Sequence, residues 1–375
     1  MTGVMVKPVG SLCNHGCSYC YYLSTSTLYQ GDGGIMDDEV LEACVRQAAE
    51  ACEGDSVSFC WHGGEPLLAG LPFFRKAVRL QRRYAGGKRI DNSLQTNGLL
   101  VDDNWCRFFR DNDFLIGISI DGPKDIHDAF RKAHSGVSSF DAVARAVGLF
   151  RRHRVEFNTL SVVSSLCEGR GVEIYRFFRD TLGSRFMQFL PAADRQLPWA
   201  VSAKGYGRFL TDIFDEWVSR DVGEYFVQMF DATLAGWYGV TPGVCTVNDA
   251  CNDSLVVERN GDVYPCDHFV RSGLCLGNIR ESTLGELYAS PRRVEFSRAK
   301  CGSLAAGCRE CKYAFACHGE CPEHRKDGRN VLCEGLKDYF SHVTPAMDGM
   351  KELLLRRRSP AEIMNTWVMC SNPPH

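Results

Sequence analysis

In the first 190 residues, six short strand-like apolar runs alternate with helical ones. That alternation restricts the chain to folds built on a parallel sheet covered by helices. The runs at 3–9 (GVMVKPV), 56–61 (SVSFCW), 89–96 (RIDNSLQT), 114–120 (FLIGISI), 155–163 (VEFNTLSVV) and 185–190 (RFMQFL) read as strands. Helical apolar spacing marks 36–52, 71–84, 102–112, 139–153 and 170–181 between them. The polar and glycine-rich clusters CNHGC, HGGEP, TNG and DGP follow strands rather than precede them. In barrels, the C-terminal strand ends carry the chemistry. The expected architecture is therefore α/β, a partial (β/α)6 TIM-like barrel over residues 1–195. An open doubly wound sheet fits the same pattern and stands as the alternative.

Past residue 195 the texture changes. A helical linker is expected over 196–240, then a small cysteine-rich domain over 241–345, then a C-terminal helix and tail over 346–375. In LVVERNGDVYPCD (255–267), Asn260-Gly261 sits between alternating runs and predicts a β-hairpin. The net charge of -3 gives no reason to expect nucleic acid as a partner. With no eighteen-residue apolar tract and no export signal before the first cysteines, no membrane association and a cytoplasmic location are expected.

The chain holds 19 cysteines, an odd number and far above background. Thiolates on metal in a reducing compartment explain them better than disulfides. Most scattered ones read as core; Cys44 shares a predicted helix face with Val40, Leu41, Val45 and Ala48. Two groups are different. Cys13, Cys17 and Cys20 stand together in LCNHGCSYCYY (12–22). Cys245, Cys251, Cys266, Cys308, Cys311, Cys317, Cys321 and Cys333 form a second run, enough for two sets of four. Zinc and structural iron–sulfur sites usually take four protein ligands, so a triplet suggests a metal site with one position open. Zinc completed by His15 or His62 is the competing reading of the triplet.

C-x3-C-x2-C with Tyr19 before the last cysteine resembles the signature of the radical S-adenosylmethionine superfamily. The resemblance implies a [4Fe–4S] cluster on Cys13, Cys17 and Cys20. S-adenosyl-L-methionine would chelate its open iron, and one electron would cleave the sulfonium to a hydrogen-abstracting 5′-deoxyadenosyl radical. HGGEP resembles the family's GGEP loop, which implies cofactor contacts from Gly63, Gly64 and Glu65, the last toward the methionine ammonium. Ser119 in SIDGP, Arg131 in HDAFRK and Ala193 after QFLPA match further cofactor positions; an exposed helix arginine is the plain alternative for Arg131. The later cysteines resemble the SPASM extension, which implies two auxiliary [4Fe–4S] clusters and three in all. In that pattern Cys321 crosses back to join Cys245, Cys251 and Cys266, while Cys308, Cys311, Cys317 and Cys333 form the other set. Tetrahedral zinc fits the same spacings.

Across nearly its whole length the chain is similar to the anaerobic sulfatase-maturating enzymes, in VKPVGSLCNHGCSYCYY, HGGEPLLAGLPFF, NSLQTNG, LIGISIDGP and GDVYPCDHFV. The resemblance implies oxidation of a sulfatase cysteine, or serine, to Cα-formylglycine. Expected partners are an unfolded or nascent sulfatase bearing C/S-x-P/A-x-R and a reductant such as flavodoxin or ferredoxin. Asp267 matches the proton acceptor, with a turn cap as its plain alternative. Tyr22 matches a cofactor- and substrate-site residue, with simple packing as its alternative. His62, expected at the substrate, stands where the family carries glutamine. Segment 191–205 is short where substrate would enter. Another SPASM peptide modifier, forming thioether or carbon–carbon crosslinks, would share every cluster cysteine. A zinc-binding scaffold is the non-enzymatic alternative.

Overall fold

The structure, a computed structural model, describes residues 1–29, 34–194, 197–251 and 254–371. In chain order the elements that frame the sites are β1 (Gly3–Lys7), α1 (Asp38–Ala51), β2 (Ser56–Trp61), α2 (Gly70–Tyr84), β3 (Arg89–Thr96), α3 (Asp103–Asp111), β4 (Leu115–Ser119), α4 (Lys124–Phe130), α5 (Phe140–His153), β5 (Phe157–Val163), α6 (Gly171–Arg176), β6 (Phe186–Pro191), α7 (Ala203–Arg220), β7 (Phe226–Val227), α8 (Gln228–Tyr238), β8 (Ser254–Glu258), β9 (Asp262–Tyr264) and β10 (Gly277–Asn278). All six predicted strands form, most within two residues of expectation.

Two compact units share the chain: 1–119, 128–157 and 251–298 make one, and 120–127, 158–250 and 299–375 the other. In the first, β1 to β4 pair in parallel in sequence order. β8 adds in parallel to β1, with Lys7 opposite Glu258, and β9 and β10 continue antiparallel. Helix starts are set locally: the Asp37 carboxylate accepts Val40 N–H at the head of α1, and Asp102 accepts Trp105 N–H at the head of α3. Trp61, Phe74, Trp105 and Phe109 pack as an aromatic layer between sheet and helices.

In the second unit β5, β6 and β7 pair in parallel. Helix α7 packs along the long helix Cys333–Leu355. A Cβ on Gly335 would lie 1.6 Å from Ala203 O, so glycine is what lets these two backbones touch. The 23-residue helix begins at the last predicted ligand, Cys333, and runs through the expected boundary at 345. The expected boundary at 195 falls on Arg195 and Gln196, outside the described residues.

The hairpin forms around Asn260-Gly261 as predicted, within the C-terminal cysteine-rich region. Backbone hydrogen bonds join β8 to β1, so 251–298 extends the sheet of the first unit. Alternation alone identifies a strand; it does not say which edge will receive it. Among the described residues no helix is long and apolar enough to cross a membrane.

Candidate active site and cluster sites

The loop after β1 carries Cys13, Cys17 and Cys20. Backbone bonds grip it from two sides. Gly16 N–H and Ser18 N–H donate to Lys132 O and Phe130 O, at 2.9 and 3.3 Å. Gly64 N–H and Glu65 N–H donate to Gly10 O and Leu12 O, at 2.7 and 2.9 Å. A Cβ on Gly64 would meet Leu12 O at 2.0 Å, and Gly63 has φ +118°. The need for two glycines is thus already met by the cysteine loop itself.

Cys17 and Cys20 sit close enough to Cys13 to act on its thiol. Burial, with Glu65, Cys17 and Cys20 adding to it, pushes the Cys13 thiol up to about 12. A bare thiolate there is costly, so a cation is needed to keep it deprotonated. His15 N–H and Asn97 Nδ2 lie 3.4 and 3.7 Å from the Cys13 sulfur, donors suited to charge on a ligating sulfur. His15 Nε2 is buried and unbonded. Burial, then Arg131 and His134, pull this ring down to about 4. Three soft sulfurs with donors around them fit an iron–sulfur cluster.

Glu65 is fully buried, and burial raises its carboxyl to about 7. Its oxygens already accept Leu67 N–H, Thr96 Oγ and Asn97 N–H at 3.0, 2.9 and 2.8 Å. A carboxylate has roughly four acceptor positions, so Glu65 chiefly braces the turn against the end of β3. Three of those positions are filled, which leaves one for the expected methionine ammonium. Ser119, at the end of β4, accepts Gln95 Nε2 at 2.9 Å. Arg131 lies over the Tyr19 ring at 5.3 Å, buried rather than on an exposed helix face. Ala193 is buried in the other unit.

Asp267 follows Cys266 and anchors a charged cluster in the first unit. Lys7, fully buried at the end of β1, pairs with one carboxylate oxygen, and Tyr21 hydroxyl donates to the other. Burial would raise this carboxyl, but the Lys7 ammonium, His62 and the two hydrogen bonds outweigh it. Asp267 is held well below the usual carboxylate range. The Lys7 ammonium also lies 3.5 Å from the Tyr22 ring centre. Tyr22 itself is buried and donates to Glu258, and the tyrosine touching Asp267 is Tyr21. Gly63 N–H donates to His62 Nδ1 at 2.8 Å, which puts the proton of the neutral ring on Nε2. Burial pulls His62 down to about 4, so it stays neutral at working pH.

In the second unit Cys308, Cys311, Cys317 and Cys333 line one cavity of about 250 Å³, with Tyr313, Leu336 and Phe340 as its apolar wall. Burial pushes Cys317 up to about 12, with Glu320 and the sulfurs of Cys333 and Cys311 adding to it. Four thiols around one void fit a fully ligated cluster. The other expected set is divided between the units: Cys245 and Cys321 lie in the second, Cys251 and Cys266 in the first. Lys300, buried, donates to Cys245 O and Thr246 O at 2.5 and 2.9 Å and also to Asn248 O, fixing the turn that presents Cys245.

Sequence reasoning missed Lys7, Tyr21, Glu258, Asn97 and Lys300. Lys7 had a signal: a lone charge ending an apolar strand. The others become visible only through partners far along the chain.

Comparison with known proteins agrees with this geometry. The radical SAM superfamily model matches residues 8–166, and the SPASM model, an iron–sulfur cluster-binding domain, matches 245–312. This is a radical S-adenosylmethionine protein with an iron–sulfur extension. The chain is 43% identical to the serine-type anaerobic sulfatase-maturating enzyme of Bacteroides thetaiotaomicron, over 96% of this chain and 94% of that protein. It is 35% identical to the cysteine-type enzyme of Clostridium perfringens, over 92% and 96%. Native anSMEcpe with bound AdoMet and Cp18Cys peptide matches with a TM-score of 0.86 at 34% identity, over 93% of this chain and 99% of that one. The chain belongs to the anaerobic sulfatase-maturating enzymes.

Proposed function

We propose that this chain oxidises the active-site cysteine or serine of a sulfatase to Cα-formylglycine without oxygen. The observation that carries the reading is Asp267, an ionised carboxylate held by Lys7 and Tyr21 in the unit that presents the three-cysteine loop. When bound, the cluster and S-adenosyl-L-methionine supply a radical able to take a hydrogen atom from the target Cβ. The chain's own residues do the rest. Cys13, Cys17 and Cys20 hold the cluster, and Gly63, Gly64, Ser119, Arg131 and Ala193 shape the cofactor's place. Asp267 accepts the thiol or hydroxyl proton of the target. The Nε2–H of His62 offers that target a fixed donor. Tyr22 acts through packing on Lys7 and its bond to Glu258.

Two auxiliary [4Fe–4S] clusters complete the reading, one on Cys245, Cys251, Cys266 and Cys321 and one on Cys308, Cys311, Cys317 and Cys333. Full thiolate ligation leaves them to move electrons rather than bind substrate. A flavodoxin or ferredoxin supplies the priming electron in the cytoplasm. The substrate is an unfolded or nascent sulfatase with a C/S-x-P/A-x-R motif; relatives of both the cysteine and serine types make both worth testing. The deciding experiment is anaerobic incubation of the reconstituted protein with reductant, S-adenosyl-L-methionine and paired cysteine and serine peptides, read by mass spectrometry. An aldehyde product is expected, with about twelve irons per chain from three cubes. A crosslinked product, or no oxidation of either peptide beside active S-adenosyl-L-methionine cleavage, overturns the assignment.

A further inference from the structure

Helices α2 and α3 line an open cavity of about 440 Å³ in the first unit, with its arginines exposed. Arg75, Arg79 and Arg82 reach it from one face of α2, at the i, i+4, i+7 positions of a single helix side, and Arg107 reaches it from α3. Elsewhere on these helices arginines are neutralised: Arg83 pairs with Glu42, and Arg110 with Asp111. Among the described residues none of the four cavity arginines forms an ion pair. The one carboxylate in the wall, Asp111, is engaged by Arg110 through two bonds, at 2.8 and 2.9 Å.

The cavity instead holds its cations with neutral groups. Arg82 Nη2 donates to Asn112 Oδ1 at 3.0 Å, and Asn112 Nδ2 is turned away onto Phe108 O at 2.8 Å. Arg107 Nη2 donates to Asn104 Oδ1 at 2.8 Å. Amide oxygens orient a guanidinium without cancelling its charge. Four like charges held together in one concavity repel each other until an anion enters. The cavity has the size of a small-ligand site. Its four arginines come from two helices, which suits several charges packed on one compact ligand better than carboxylates spaced along an extended peptide.

From this geometry we infer an oligophosphate-binding site formed by Arg75, Arg79, Arg82 and Arg107, with Asn104 and Asn112 as positioning residues. Arg82 and Asn112 stand where α2 and α3 run back toward the starts of the next strands. The cysteine loop and the GGEP turn follow strand ends, so this site is separate from them.

Calorimetric titration of the reconstituted holoenzyme with tripolyphosphate at low salt tests the inference. One site with a dissociation constant on the order of 0.1 mM is expected, weakening as salt is raised, as for a few charge-assisted contacts on an open site. R79E/R107E should weaken binding by at least about 30-fold, as replacing two attractive charges with repulsive ones demands. N104A/N112A should weaken it by about 3- to 10-fold, because the charges remain but lose their orientation. The second pair also carries the test if the charge reversals fail to fold. S-adenosyl-L-methionine cleavage should be unchanged in folded variants. Absence of binding at millimolar tripolyphosphate, or unaltered affinity in R79E/R107E, overturns the site. A glutamate-rich peptide displacing tripolyphosphate with tenfold tighter affinity would overturn the phosphate assignment.

Discussion

Two cysteine sites in this molecule, the loop at 13–20 and the cavity at 308–333, are built on opposite plans. The loop has three thiols and is ringed by polar groups: Asn97, His15 and Arg131, with the braced Glu65 beneath. The cavity has four thiols and an apolar wall of Tyr313, Leu336 and Phe340, with Arg329 at the Cys333 sulfur. Ligand number sets what each can do. A site short of one protein ligand, in polar surroundings, has room for a cofactor that reacts. A site with a full set and a dry wall suits charge storage and transfer.

The largest expected effect breaks that comparison directly. Cys17→Ala should abolish 5′-deoxyadenosine formation and remove about four of about twelve irons. Cys333→Ala should remove a similar amount of iron yet leave S-adenosyl-L-methionine cleavage in place. Chromatography of 5′-deoxyadenosine beside iron analysis reads both, and cleavage surviving in Cys17→Ala would erase the distinction between the sites.

Next in size is Asp267→Asn. Aldehyde should fall by about 10²–10⁴, the usual cost of losing a general base, while 5′-deoxyadenosine is still made. If Asp267 only capped a turn beside Cys266, auxiliary iron and product would fall together, so both belong in one preparation.

Gly64→Ala attacks the grip on the reactive loop alone. A Cβ 2.0 Å from Leu12 O forces the backbone apart. A loss of about 2–4 kcal/mol is expected, as for other severe overpacking, with iron lost from the three-cysteine site and retained at 308–333. Thermal unfolding and iron analysis of the same sample check it.

Lys7→Met gives a smaller, pH-dependent effect. The Asp267 carboxyl is depressed, so its pairing stabilises the fold above the ordinary carboxylate value near 3.9 and that contribution fades as pH falls through it. Without the ammonium, burial is opposed only by His62 and the Tyr21 hydrogen bond, and the carboxyl rises. Maturation in the variant should then decline as pH drops from about 7.5 to 6, where the parent stays flat. A flat profile for both would remove Lys7 from the control of Asp267.

Gly148→Ala is the smallest change and the control. The position lies inside α5, and nothing stands within 4 Å of the added Cβ. Stability should rise by about 0.5–1 kcal/mol through helix propensity, seen as a higher midpoint in urea, with both cysteine sites untouched.

The strand–helix series, the hairpin at Asn260-Gly261, the two cysteine groups and the loop that follows β2 are legible in the order of residues. Each is written in local terms: apolar period, turn chemistry, and ligand spacing within one short stretch. Cys308, Cys311, Cys317 and Cys333 gather around one void much as their spacing suggests, because three of them lie within ten residues and the fourth opens the next long helix. Long-range pairing alone places Tyr21 rather than Tyr22 on Asp267 and sets Lys7 between Asp267, Tyr22 and Glu258. Those contacts depend on β8 pairing in parallel beside β1, which brings together residues some 250 positions apart. Strand pairing is made by backbone hydrogen bonds that every residue offers alike, so the choice of partner leaves little trace in the order of side chains.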